Sequence, residues 1–120
     1  HLKLELDLTA HKLVNDDARA TALFRIVQEA LANILRHAQA ENVAITLSVE
    51  GNFLCLRIQD DGLGMPEKIR VGGIGLLSMR ERAVALGGEF SISKAKEGDA
   101  KAGVSIEVRL PLSAHEVEMT

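Results

Sequence analysis

Four polar residues recur at intervals of four along one stretch with a helical apolar pattern: Arg25, Glu29, Asn33 and His37. Residues four apart are neighbours on an α-helix, so Glu29 and Asn33 would present adjacent oxygen atoms. A neutral amide oxygen suits Mg²⁺, which keeps several waters and takes few protein ligands when phosphates supply the rest. A solvated helix face explains the same spacing, and on this motif alone that simpler interpretation is favoured.

A second polar cluster, from Asp60 to Gly64, follows an apolar run. Asp-Gly is common in turns, and a turn is its simplest interpretation. However, Asp60 would stand at the end of a strand, where a fixed carboxylate can accept a hydrogen bond from an exocyclic amine such as adenine N6. The glycines at 62 and 64 would let the backbone approach a flat base closely.

A third cluster joins the glycines of the segment 72–75 to a helical pattern that begins at Leu76. Free amides and the positive end of the helix dipole make such a junction an anion site. The dinucleotide-binding fingerprint fails here, because Ser78 stands where its third glycine belongs and no buried strand precedes the turn. No P-loop sequence is present either.

The elements that must position these clusters are predicted from hydrophobic periodicity. Strict alternation predicts a half-buried strand over 2–8, and further strands are expected at 43–49, 53–59, 90–92 and 104–110, the third being central. A long helix should begin at an N-cap at Asn15 or Asp16 and run to about Ala38, and a shorter one should end at Gly87. With hairpins pairing the strands, we predict an α/β two-layer sandwich, a mixed and mostly antiparallel sheet with helices on one face.

Size and composition limit the function classes. The chain has 120 residues, which suits a single domain, here 1–112, followed by a polar tail at 113–120 that we expect to be frayed. A net charge of -3, three Phe and no Trp or Tyr argue against nucleic acid as a partner. The sequence shows no signal peptide or membrane-spanning run, and its single cysteine, Cys55, is expected to pack in a core in a reducing cytosol. A first residue other than Met suggests a fragment.

Together the three clusters resemble, in order and spacing, the N, G1 and G2 boxes of the GHKL ATPase superfamily. The finer similarity is to sensor histidine kinases of the nitrate-sensor type. Residues 24–33 followed by Arg36-His37-Ala38 look like their N box, and residues 73–82 followed by 86–88 look like their G2 box and its helix. The resemblance covers about 20–112 and so almost the whole domain.

This resemblance implies a site for ATP or ADP with Mg²⁺, in which Asn33 binds the metal and Glu29 acts as a base or orients metal-bound water. These two are the implied catalytic residues. The residues implied to contact the nucleotide are Asn33, Arg36, His37, Asp60, Gly62, Gly64, Met65, Gly73, Gly75, Leu76 and Leu77. The segment 65–72 would form a short lid.

Two features depart from the family pattern. Gly103-Val104 stands where many of these kinases carry Gly-Thr, so a threonine contact to the base pocket is not expected. The phenylalanine-containing F box of other kinase groups is not recognisable between residues 64 and 72, which agrees with a short lid.

None of the four histidines, His1, His11, His37 and His115, has the acceptor context of the family. The acceptor is therefore expected on an absent N-terminal dimerising domain, which passes the phosphoryl group to a response regulator in a two-component phosphorelay. The fragment would be a cytoplasmic monomer, and the full-length kinase a dimer and an inner-membrane sensor. Two alternatives stay open: another GHKL enzyme, such as an anti-sigma-factor serine kinase or a gyrase or mismatch-repair ATPase, or a nucleotide-binding module without activity.

Overall fold

A five-stranded mixed sheet forms one layer of the protein in the computed structural model, which describes residues 2–14, 16–63, 75–95 and 103–119. The strand order is β1-β2-β3-β5-β4, so β3 is central, as the sequence predicts. Only β1 pairs in parallel among these strands, with β2, and the other pairs are antiparallel. The strands are β1 Lys3–Asp7, β2 Asn42–Glu50, β3 Phe53–Asp60, β4 Glu89–Ser93 and β5 Ser105–Pro111.

The helices lie where the periodicity predicts them. Helix α1 spans Asp17–Asn33, and Asp16 is its N-cap, because Asp16 Oδ1 accepts a hydrogen bond of 2.7 Å from the Arg19 amide. A π-helical segment, Ile34–Ala38, continues α1, and a 3-10 turn, His11–Leu13, precedes it. Helix α2 spans Leu76–Ala85 and ends before Gly87.

The core lies between the helices and one face of the sheet. Alternation along β3 turns Leu54, Leu56 and Ile58 toward α1 and α2, where they meet fully buried Ile26 and Met79. Burial of apolar surface on one face of each element is what holds the two layers together. On the opposite face, burial raises the pKa of the Cys55 thiol to about 11, so Cys55 is a packing residue as expected.

Edge strand β1 differs from the half-buried strand that its alternation predicts. Its helix-side leucines are about half exposed, Leu4 by 49% and Leu6 by 55%, because α1 and α2 cover the middle of the sheet rather than this edge. Alternation therefore identified the strand and its apolar side, but the prediction of burial was wrong.

The C-terminal residues form a third helix instead of the frayed tail expected from their polarity. Helix α3 spans Ala114–Glu118 and begins with a capping box made by Ser113 and Glu116. Glu116 also pairs with Arg19 of α1, with 2.6 Å between Arg19 Nη1 and Glu116 Oε2. This contact lowers the pKa of Glu116 to about 2, chiefly through the hydrogen bond from Arg19. A local cap and one long-range ion pair thus order the tail.

No helix among the described residues is long and apolar enough to cross a membrane.

Candidate nucleotide-binding site

The C-terminal half of α1 carries the first polar cluster. Asn33 is only 2% exposed, so the interpretation of this position as a solvated helix face is wrong. Glu29 is partly buried, and its Oε2 is shielded from solvent without a hydrogen-bond partner among the described residues. Arg25 is exposed and donates to Gln28 Oε1 over 3.1 Å. Burial therefore increases along the row from Arg25 through Glu29 to Asn33.

The helix that carries the polar residues spaced four apart changes its geometry after Asn33. The π-helical segment Ile34–Ala38 follows directly, and the left-handed backbone of Gln39, with φ of 51°, ends it. Because π-helical hydrogen bonds join residues five apart, the positions after Asn33 rotate away from the four-residue row. Arg36 is exposed on this segment, and the His37 side chain lies outside the described part of the structure.

Glu29 and Gly75 meet although they belong to different predicted boxes. A Cβ added at Gly75 would overlap Glu29 Oε2 and lie 2.9 Å from Glu29 Cδ. Gly75 also has a φ of 84°, in the left-handed region that favours glycine. Both the backbone conformation and the space next to Glu29 therefore require a residue without a side chain here.

Gly75 is also the N-cap of α2. The amides of Leu76 and Leu77 belong to the first turn, where N–H groups have no partner within the helix. The Leu76 side chain is buried in the core and the Leu77 side chain is exposed. What the two residues have in common is a backbone amide in the first turn of α2, which is the group predicted to contact phosphate. The predicted residues Gly64, Met65 and Gly73 lie outside the described residues.

Asp60 ends β3 on the side of the sheet that faces the helices and is only 5% exposed. Its Oδ1 accepts a hydrogen bond of 2.8 Å from the Gly62 amide. Burial raises the pKa of Asp60, the Gly62 and Val104 amides oppose that rise, and the charge of Asp61 adds to it. Asp60 is therefore a buried carboxyl fixed by backbone donors and not an ordinary turn residue.

Asn33 and Asp60 lie at the same end of the sheet. After Asn33 the chain enters β2 at Asn42, and the next residue, Val43, is the register partner of Asp60. The two buried polar side chains, the only ones among the described residues, thus stand at one end of the interface between helices and sheet. The chain path thus places two clusters that are far apart in sequence at the same end of the sheet.

Gly103, two residues before β5 begins, packs against the backbone of Asp60. A Cβ at Gly103 would overlap the Asp60 carbonyl oxygen and lie 2.9 Å from its carbon, and φ at Gly103 is 67°. The Gly103 amide donates to the Gly62 carbonyl over 3.0 Å, and the Asp60 amide donates to the Val104 carbonyl over 3.0 Å. Sequence reasoning considered this pair only for a missing hydroxyl, whereas its described contacts are made by the backbone.

Asp61 has a structural role that the sequence analysis missed. Its carboxylate accepts hydrogen bonds from the amides of Glu41 and Asn42, each 2.9 Å, and from the Asn42 side chain at 2.7 Å. These donors, above all the Asn42 side chain, lower the pKa of Asp61 to about 2. Asp61 therefore fastens the start of β2 to the end of β3. The only signal in the sequence was an Asp directly before a glycine, and this pair is too common in turns to indicate such a role.

Similarity to known families agrees with this geometry. Residues 18–114 match the family model described as "Histidine kinase-, DNA gyrase B-, and HSP90-like ATPase". The chain belongs to this ATPase family, whose nucleotide is ATP. Its fold is that of histidine kinase ATP-binding domains: it superposes on a mycobacterial sensor histidine kinase, MprB, with a TM-score of 0.70 at 21% identity, over 92% of this chain and 81% of that one.

Two similar sequences within the family are those of histidine kinases. The sensor histidine kinase LiaS of Bacillus subtilis is 39% identical over 95 residues, which are 78% of this chain and 25% of that protein. The histidine-protein kinase/phosphatase UhpB of Salmonella typhimurium is 40% identical over 111 residues, 92% of this chain and 20% of that protein. The chain thus spans a quarter or less of these relatives. The predicted superfamily is confirmed, and the nitrate-sensor subgroup stays a prediction.

Proposed function

We propose that the chain is the catalytic ATP-binding domain of a bacterial sensor histidine kinase, which presents the γ-phosphate of Mg-ATP to a histidine on another domain. The observation that carries the proposal is the contact of Glu29 with Gly75. It joins a helix that offers oxygen ligands to the glycine in front of a helix N-terminus, where phosphates bind favourably.

The adenine end of the proposed site is built around Asp60. A buried carboxylate held by the Gly62 amide keeps an acceptor oxygen in a fixed position, as recognition of adenine N6 requires. Gly62 and Gly64 would give the base room, and Gly103, just before β5, packs against the Asp60 backbone. Specificity for adenine would come from the loss of this hydrogen bond with any base that lacks an amino group at that position.

The phosphate end would contain Asn33, Glu29 and the first turn of α2. Asn33 supplies a buried amide, and Glu29 Oε2 is a shielded carboxylate oxygen without a hydrogen-bond partner among the described residues. Such a small oxygen set fits Mg²⁺, which would neutralise phosphate charge and take its remaining ligands from phosphates and water. Asn33 would hold the metal, and Glu29 would orient a water or accept a proton.

Phosphoryl transfer asks little covalent chemistry of a protein and depends on position and charge. Arg36 and His37 would flank the nucleotide, Met65 would begin the lid, and Gly73 would let the chain follow the triphosphate. The amides of Leu76 and Leu77 would face the phosphates at the positive end of α2. Each of these groups orients the γ-phosphate and exposes it for attack in line with the bond that breaks.

The acceptor in this proposal lies outside residues 1–112, on the kinase's own dimerising domain. That domain would make the whole kinase a dimer and would pass the phosphoryl group to a response regulator, with the present domain in the cytoplasm and the whole protein acting as an inner-membrane sensor. His11 and His115 are both exposed and lie outside the three clusters, so neither is proposed as an acceptor.

The decisive test is titration calorimetry of ATP against the wild-type chain and Gly75→Ala, with and without Mg²⁺. We expect binding by the wild type that strengthens with Mg²⁺. Gly75→Ala should bind roughly tenfold more weakly or worse, because the new methyl group displaces Glu29 and strains the backbone. Gly51→Ala is the matched control: its φ is also positive, at 61°, and its Cβ would meet nothing within 4 Å.

An absence of ATP binding by the folded wild-type chain would overturn the proposal and leave a module without activity. If ATP binds, the reaction is tested by adding the helical domain of the full-length kinase and γ-labelled ATP. Acid-labile label on that domain supports histidine transfer. Label on serine of a partner protein, or phosphate release without transfer, would assign the chain to another branch of the ATPase family.

A further inference from the structure

A polar cleft opens between α1 and α2 beside Glu29. Its volume is about 610 Å³, and its lining consists of Thr21, Arg25, Gln28, Glu29, Ala32 and Arg82. All but Arg82 come from α1, where their positions share one face of the helix. Two guanidinium groups therefore share a cleft with a single carboxylate.

Neither Arg25 nor Arg82 has an acidic partner among the described residues. Within the described part of the chain, Arg82 Nε is shielded from solvent without a hydrogen-bond partner, and Arg25 donates only to the neutral amide of Gln28. By contrast, Arg19 and Arg57 each lie within 2.7 Å of a glutamate oxygen. A shielded donor without an acceptor is unfavourable, and an incoming carboxylate would satisfy it.

The position of the cleft indicates what enters it. Glu29 is closed off on one side by Gly75, and its other side lines this cleft. If Glu29 assists transfer from ATP, the cleft gives an acceptor group a path to it from the open side. The surface around the acceptor would then meet Arg25 and Arg82 first.

We propose that Arg25 and Arg82 form a docking site for an acidic polypeptide segment next to the group that accepts the phosphoryl from ATP. The inference rests on the proposed function and adds the chemistry of the partner surface. The bidentate guanidinium fork matches carboxylates geometrically, so these arginines orient the acceptor through its acidic side chains and take no part in the bond changes.

The test uses the 120-residue chain saturated with Mg²⁺ and a non-hydrolysable ATP analogue, and a short oligoglutamate peptide as the probe. Nuclear magnetic resonance follows the backbone amides of Thr21, Gln28 and Ala32 during the titration. We expect these signals to shift with oligoglutamate but not with oligoserine, and the affinity to fall as salt is added. The Arg25→Gln, Arg82→Gln double variant should bind about tenfold more weakly or worse.

Arg80→Gln is the matched control, because Arg80 lies two positions before Arg82 but stacks on Phe90, at 5.7 Å from the ring centroid. Arg82→Lys keeps the charge without the guanidinium fork and should lose part of the affinity. Equal weakening by Arg80→Gln, or unshifted signals from the cleft, would overturn the docking site.

Binding of the ATP analogue is measured in parallel for every variant. Loss of analogue affinity in the double variant would show that the arginines bind nucleotide phosphate and would also overturn the proposal. If the wild-type chain fails to bind the analogue, the proposed function fails, and oligoglutamate titration of the nucleotide-free chain still decides the docking site.

Discussion

Asp60 and Asp61 are adjacent in sequence and have opposite physical situations. Asp60 is buried, and its pKa is raised mainly by that burial. Asp61 is exposed, and hydrogen bonds from Asn42 and Glu41 lower its pKa to about 2. A buried carboxyl with a raised pKa costs stability and suits a function, whereas an exposed carboxylate that ties two strand ends together stabilises the fold. In the proposed site, Asp60 would serve nucleotide binding, whereas the contacts of Asp61 serve the stability of the fold.

The largest loss of stability and of ATP binding is expected when the packing of Gly103 against Asp60 and Asp61 is disrupted. In Gly103→Ala the new methyl group would overlap the Asp60 carbonyl oxygen and approach the Asp61 Cα to 3.3 Å, at a φ of 67°. Overpacking against backbone together with left-handed strain should lower the free energy of unfolding by about 3 kcal/mol or more and abolish ATP binding. Denaturant unfolding measures the loss. Gly51→Ala, with similar φ and open space, should lose only about 1 kcal/mol. Similar losses in the two variants would show that contact with Asp60 is unimportant.

Asp60→Asn should weaken ATP binding and leave the fold intact. Replacing a charged acceptor by an amide should weaken ATP binding roughly 10- to 100-fold, measured by calorimetry at neutral pH. Because the carboxylate is buried at a cost, the free energy of unfolding should stay within about 1 kcal/mol of the wild type or rise. An unchanged affinity for ATP would show that Asp60 does not bind the base.

Asp61→Asn should lower the stability of the fold and leave ATP binding intact. Its effect is expected to be the smallest of the three. At pH 7 the unfolding free energy should fall by about 1 kcal/mol because charged acceptors for Glu41 and Asn42 are lost, while ATP affinity stays within about twofold. Since the folded pKa of about 2 lies below the ordinary value of 3.8, this stabilisation is complete above about pH 4 and disappears as pH falls through 2.

The difference in unfolding free energy between Asp61→Asn and the wild type should therefore disappear at low pH, as acid denaturation curves would measure. Asp7→Asn provides the control, because the Asp7 carboxylate accepts one long hydrogen bond, 3.4 Å from the Thr9 amide. A gap that persists at pH 2, or a loss of ATP affinity as large as that of Asp60→Asn, would contradict the division of roles between Asp60 and Asp61.

Much of the fold was predictable because local signals agreed with the final structure. Alternation found the strands, Gly51-Asn52 marked the hairpin between β2 and β3, and Asp16 was recognised as the helix cap. The errors came from long-range contacts. Polarity predicted a frayed tail, but the pairing of Glu116 with Arg19 holds α3 in place. Strict alternation predicted burial of β1, but no helix among the described residues covers that edge.

The candidate site follows the same division. Residue types and spacing indicated which groups could carry chemistry, because an amide, two carboxyls and glycines before helices have properties that do not depend on the fold. Only the tertiary structure decided which of them are buried and which of them are in contact. It buried Asn33 and Asp60 at one end of the sheet, placed Glu29 against Gly75, and left Arg25 and Arg82 facing an open cleft. The physical reason is that burial and contact depend on the packing of distant segments, whereas chemical character belongs to each residue alone.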